Sequence, residues 1–333
     1  MIAVHALFIY LTGRCPLNCT YCYLRRRSVR DLSWPTVVRV LDSISRDLGL
    51  PRKIVISGGE PFLCYPMLRK LALEVRRRFS WLPLSVQSNG LLLDKNRISF
   101  LRAVQAGLEV GIDGKEETTL RHRRGLTGSI YNRLLGNIRA AVRSGLSVSC
   151  TMTVHPDQVE HMEENFIFLK SLELRSIDIT PAAFMLWTDA SVRDFRRNYS
   201  QILQGQSGQG RVLVAEDKNL FGEAFLDLSV YPDGSVLCGD AYSCLPAGVK
   251  RARSLVLPSG QLEKKRLNFF VRQYASLWRS GSSCSYRDYV RRSFEIVDRL
   301  AGGALDAGRL NEMMRFIGGA NLRLVSAERI CPE

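Results

Sequence analysis

Along the first 180 or so residues, short apolar or alternating runs separate longer stretches in which apolar positions recur every three to four residues. The short runs Val4–Leu11, Lys53–Ser57, Leu84–Ser88, Leu108–Asp113, Leu146–Val154 and Ser176–Thr180 predict strands. Between them, Trp34–Leu48, Tyr65–Phe79, Arg97–Ala106, Tyr131–Ser144 and Glu163–Leu172 predict amphipathic helices, with Gly or Pro at many junctions. This alternation implies a parallel sheet with right-handed crossovers, either an open doubly wound sheet or a curved barrel. In both, chemistry collects at the carboxyl ends of the strands.

A further helix is predicted around Val192–Leu203, and the Gln/Gly/Ser-rich stretch Gln204–Gly210 reads as a flexible linker. The expected organisation is therefore a first domain over 1–203, a linker over 204–210 and an extension over 211–333. In the extension the periodicity weakens. A hairpin is predicted over Leu226–Leu237, turning at Pro232-Asp233-Gly234, followed by basic helices and a Gly-rich tail.

The chain has 333 residues, 46% hydrophobic and 24% charged, which excludes disorder and fibrous repeats and leaves room for a large core. Formal charge is +15, and of 47 basic residues only nine are Lys. Arg-rich surfaces suit nucleic acid, acidic peptides or ion-pair networks, and charge does not choose among them. Ile2–Leu11 is too short to span a bilayer and lacks a signal-peptide pattern, so a soluble, cytoplasmic protein with no membrane partner is expected. Nine cysteines without an export signal point to metal ligation or free thiols.

Three of those cysteines follow the first strand in the segment CPLNCTYC: Cys15, Cys19 and Cys22, spaced C-x3-C-x2-C. Thiolates select zinc or iron-sulfur clusters, and a structural zinc would recruit a fourth ligand. None is adjacent, which leaves Cys64 or His5 as distant completions of a zinc site. A cubane held by three cysteines instead leaves one iron open to a small molecule. After the second strand, Gly58 and Gly59 remove side chains where a ligand backbone must approach, Glu60 offers a carboxylate to an ammonium group, and Pro61 stiffens the turn.

The cysteine spacing, with Tyr21 before the third cysteine, resembles the signature of the radical S-adenosylmethionine superfamily. The resemblance continues through ISGGEP at Ile56–Pro61, QSNGLLL at Gln87–Leu93, VGIDG at Val110–Gly114 and GSIYNRLLGNI at Gly128–Ile138. Their order is similar to that of anaerobic sulfatase-maturing enzymes and peptide maturases. The resemblance implies an α/β fold, a partial (β/α)6 TIM-like barrel with a smaller α+β C-terminal extension. It further implies a [4Fe-4S] cluster on Cys15, Cys19 and Cys22, and S-adenosylmethionine held by Gly58, Gly59, Glu60, Pro61, Ser88, Asn89, Asp113 and Arg123. Related sequences carry a serine two positions before the aspartate; here that position is Gly111. The implied activity is reductive cleavage of S-adenosylmethionine to a 5'-deoxyadenosyl radical that takes hydrogen from a peptide or protein side chain, with an external low-potential electron donor.

Asp178 on the sixth strand is a candidate general base and Cys150 on the fifth a candidate hydrogen-atom donor; buried cysteine more often only packs. Ser88 and Asn89 equally suit a turn into Gly90, and Arg121–Arg124 equally suit a solvated basic face. Leu226–Cys238 resembles the start of a SPASM or twitch extension, in which Cys238, Cys244, Cys284 and Cys331 would suffice for one auxiliary cluster; scattered thiols are the alternative. The chain begins at the first strand, which implies no peptide-recognition domain ahead of it. Distributed basic stretches suit an acidic leader peptide or RNA. Modification of RNA or a small metabolite, and a non-catalytic iron-sulfur binding or scaffold protein, are the other readings.

Overall fold

The computed structural model describes residues 4–22, 24, 30–45, 50–182, 185, 188–205 and 226–238. Contacts divide them into two compact units, one of 4–14, 24–84 and 226–238, the other of 15–22 and 85–205.

The first unit holds β1 (Val4–Tyr10), α1 (Trp34–Ser43), β2 (Lys53–Ser57) and α2 (Tyr65–Arg78), together with the hairpin β7 (Leu226–Val230) and β8 (Val236–Cys238). Its strand order is β2-β1-β7-β8. β1 lies parallel to both β2 and β7, and only β8 runs antiparallel. A strand flanked on both sides in a parallel sheet is covered on both faces, which explains the near-continuous apolar sequence of β1. Leu7, Ile9, Ile54 and Ile56 are buried, as are Val37, Val40 and Leu41 of α1 and Leu68, Leu71 and Val75 of α2. The predicted hairpin forms, and β7 also joins β1 in parallel, a pairing that local periodicity does not encode.

The second unit holds β3 (Leu84–Ser88, of which Leu84 falls in the first unit), α3 (Lys95–Ala103), β4 (Gly107–Gly111), α4 (Glu116–His122), α5 (Gly128–Arg143), β5 (Val148–Val154), α6 (Met162–Lys170), β6 (Ser176–Pro181) and α7 (Asp189–Gln204). Its strands run β6-β5-β4-β3, all parallel. Burial alternates along them: Val86, Val110, Cys150, Met152 and Ile177 are buried, while Ser85, Gln87, Glu109, Ser149, Thr151 and Asp178 lie on the opposite, polar face.

Two local departures from the sequence reading have clear causes. β4 ends at Gly111 rather than Asp113, whose carboxylate accepts the Thr153 backbone N–H at 3.1 Å. Helix α4 has almost no apolar residues, so its pattern predicts nothing. It is held instead by buried hydrogen bonds, from Thr119 Oγ1 to the Gly114 carbonyl at 2.9 Å and from Asn165 Nδ2 to Thr118 Oγ1 at 3.0 Å. Most of the extension expected over 211–333 lies outside the described residues.

Candidate active site

The loop carrying Cys15, Cys19 and Cys22 leaves the end of β1 and is fastened by its own backbone. Asn18 N donates to the Arg124 carbonyl at 2.8 Å and Thr20 N to the His122 carbonyl at 2.9 Å, so the segment closing α4 templates the loop. All three cysteines are half-buried and unbridged. Burial pushes the Cys19 thiol up to about 11; the Arg123 guanidinium opposes this, while Asp113, Cys22 and Cys15 add to it. The thiols thus stand close enough to feel one another's charge. That donor set, three soft sulfurs in a partly dry loop, fits an iron-sulfur cluster. Asn89 Nδ2 points to Cys15 Sγ at 3.7 Å, and Leu17 N donates to the same sulfur at 3.4 Å. Such contacts stabilise thiolate charge.

Behind the loop lies a buried charged network. Arg123 grips Asp113 with Nε to Oδ2 at 3.0 Å and Nη2 to Oδ1 at 2.7 Å, and both side chains are under 10% exposed. Tyr21, between the second and third cysteines, donates its hydroxyl to Asp113 Oδ2 at 2.5 Å. Burial, ahead of the Asp113 charge, keeps that hydroxyl protonated, while Arg123 opposes it. With the Thr153 N–H, Asp113 accepts four hydrogen bonds from protein donors. The cofactor contacts expected of Asp113 and Arg123 therefore meet side chains already directed at each other. A Cβ on Gly111 would fall 2.7 Å from Arg123 Nη1, so the guanidinium occupies the space where related sequences carry serine.

A second brace was not legible in the sequence. His122 Nδ1 lies 2.9 Å from Thr20 Oγ1, its Nε2 lies 3.0 Å from Asp157 Oδ1, and the His155 ring stacks on it at 3.7 Å. His155 Nδ1 approaches the same carboxylate oxygen at 2.5 Å. Of the basic run Arg121–Arg124, Arg123 is thus interior, while Arg121 pairs with Asp157 at 3.1 Å.

In the first unit, the turn after β2 carries Gly58, Gly59, Glu60 and Pro61. Gly59 N donates to the Thr12 carbonyl at 2.7 Å and Glu60 N to the Arg14 carbonyl at 2.8 Å, so the turn clasps the residues just before Cys15. A Cβ on Gly59 would stand 2.3 Å from the Arg14 carbonyl oxygen, and one on Gly58, whose φ is +146°, would stand 2.7 Å from the Thr12 carbonyl oxygen. The chain's own backbone therefore requires glycine at both positions, independently of the ligand approach expected there. Glu60 is fully buried, and its Oε1 accepts the Phe62 N–H at 3.1 Å. Cys64 receives Arg14 Nη2 at 3.3 Å, and the His5 side chain lies outside the described residues.

The remaining expected residues separate. Ser88 Oγ accepts the Gly90 N–H at 2.9 Å and Asn89 Oδ1 the Leu91 N–H at 3.0 Å, forming the turn. Asp178 sits on the polar face in register with Thr151, and Thr180 Oγ1 donates to it at 3.3 Å. Cys150 faces the other way, 1% exposed, and burial drives its thiol well up. Glu109, unmarked in the sequence reading, shares the polar face with Asp178 and accepts from Ser85 at 2.5 Å and Gln87 at 2.9 Å. The polar alternation of β3 to β5 was its available signal. Cys238 closes β8; its side chain, and Cys244, Cys284 and Cys331, lie outside the described residues.

Comparison with known proteins adds one decisive observation: residues 9–169 match the family described as the Radical SAM superfamily. This segment is a radical SAM domain. Around it, the chain is 28% identical to PqqA peptide cyclase of Gluconobacter oxydans over 55% of this chain and 50% of that protein. It is 26% identical to GTP 3',8-cyclase of Petrotoga mobilis over 54% of this chain and 57% of that one. The match thus spans about half the length of these curated relatives. Among solved structures, anSMEcpe with bound AdoMet superposes with TM-score 0.66 at 16% identity, covering 97% of this chain and 99% of that one. Streptococcus suis SuiB bound to precursor peptide SuiA gives 0.57 at 13% identity, covering 71% and 59%. At these identities the radical SAM domain shares their fold, an α/β partial barrel. None of the described helices is long and apolar enough to cross a membrane.

Proposed function

We propose that the chain is a cytoplasmic radical SAM enzyme acting on a peptide or protein side chain. The observation that carries this reading is the braced cysteine loop: Cys15, Cys19 and Cys22 on one half-buried loop, tied by backbone hydrogen bonds to His122 and Arg124. When bound there, a [4Fe-4S] cluster and S-adenosylmethionine supply one-electron cleavage and hydrogen-atom abstraction. The chain's own residues do the rest. Three thiolates hold the cluster, releasing their protons as they bind. Asn89 and the Leu17 N–H support the Cys15 sulfur. Asp178 is the proposed proton acceptor. Support for a peptide substrate comes from solved structures that share the fold and were determined with peptides, SuiB with SuiA and anSMEcpe with Cp18Cys peptide, and from similarity to PqqA peptide cyclase.

Similarity to several GTP 3',8-cyclases favours a nucleotide substrate as the second reading. Anaerobic reconstitution with iron and sulfide, followed by dithionite and S-adenosylmethionine, tests the enzyme reading: 5'-deoxyadenosine is expected, and its absence in a chain loaded with about four irons eliminates it. Co-incubation with a short acidic peptide, GTP or RNA then separates the substrate classes by which one accelerates that cleavage.

A further inference from the structure

The Arg123–Asp113 pair is unexplained by stability. A buried ion pair gains little over apolar residues of the same volume, since desolvating both charges offsets most of their attraction. Yet the chain makes room for this one, leaving position 111 without a side chain where the guanidinium lies. The pair is also joined to the cysteine loop. Tyr21 anchors Asp113 from between Cys19 and Cys22, and the Arg123 guanidinium carbon lies 5.7 Å from the centre of the Tyr21 ring.

We infer that Arg123 and Asp113 are positioning residues that set the electrostatic potential at the cysteine loop, Arg123 favouring the more negative, reduced state of a bound cluster and Asp113 opposing it. A nearby cation stabilises added negative charge and raises a reduction potential; a nearby anion lowers it. Because the pair is fixed by four hydrogen bonds and buried, water does not screen it as it would a surface pair. Tyr21 holds the anionic partner at a fixed position relative to the loop.

This rests on the reading of Cys15, Cys19 and Cys22 as cluster ligands, and the test distinguishes the two. The full chain, reconstituted anaerobically, is compared with Arg123→Gln, Asp113→Asn and Arg123→Lys by iron content and by redox titration followed by electron paramagnetic resonance. Arg123→Gln is expected to make the midpoint potential more negative, Asp113→Asn more positive, and Arg123→Lys to stay nearer the parent than Arg123→Gln. Opposite signs are something a merely structural brace would not produce. Shifts of the same sign, or none in fully loaded variants, overturn the inference. If Arg123→Gln does not hold a cluster, the Asp113→Asn shift decides alone, a rise supporting and anything else overturning. A parent chain that binds no cluster defeats the underlying reading instead.

Discussion

At the scale of single residues, the glycines of the turn after β2 are steric requirements rather than flexible points. A Cβ on Gly59 would sit 2.3 Å from a carbonyl oxygen that cannot rotate away, so the backbone must move. Gly59→Ala is expected to destabilise the chain by about 1–3 kcal/mol, read from the denaturant midpoint, and to lower iron incorporation because the clasped residues lead directly into Cys15. Tyr21→Phe removes a hydrogen bond to a buried carboxylate and is expected to cost about 1–3 kcal/mol by the same measurement. The residues themselves were unevenly legible. Cys15, Cys19 and Cys22 announce themselves by spacing, because three soft ligands fall within one short loop. His122 and Asp157 have no such local signature, since the partners that make them meaningful, Thr20 for His122 and His122 for Asp157, lie far away in sequence.

At the scale of elements, helix α2 offers a charged test. Glu74 accepts from Arg77 at 2.9 Å and from Arg78 at 2.5 Å, and these partners lower its carboxyl to about 2. A carboxyl depressed in the folded state contributes stability above its unfolded value, lost as pH falls through the folded one. Stability is therefore expected to decline between about pH 4.5 and 2, and Glu74→Gln is expected to flatten that slope in acid titrations followed by circular dichroism. The strands β1 to β6 were readable because burial writes itself as alternation or as continuous apolar sequence. Helix α4 and the pairing of β7 with β1 were not. The first is stabilised by polar side chains, and the second is a contact between distant segments.

For the whole molecule, iron content addresses the four late cysteines. About four irons per chain after reconstitution are expected if only the first loop is loaded, and about eight if Cys238, Cys244, Cys284 and Cys331 bind a second cluster. Substituting Cys238 and Cys284 together would then remove only the second set. The fold class was legible because strand-helix alternation restricts topology to a few solutions. Substrate was not, because a sheet's polar face carries the same alternation whatever molecule it meets.

The backbone fastening of the cysteine loop bears on how the protein matures. The Asn18 and Thr20 amides are anchored to the carbonyls of Arg124 and His122, all of them protein groups. Their amide protons should then exchange slowly even in metal-free protein, with hydrogen-deuterium exchange as the readout. A scaffold in that condition needs little reordering when iron and sulfide arrive, so assembly would be limited by supply of the inorganic parts rather than by folding.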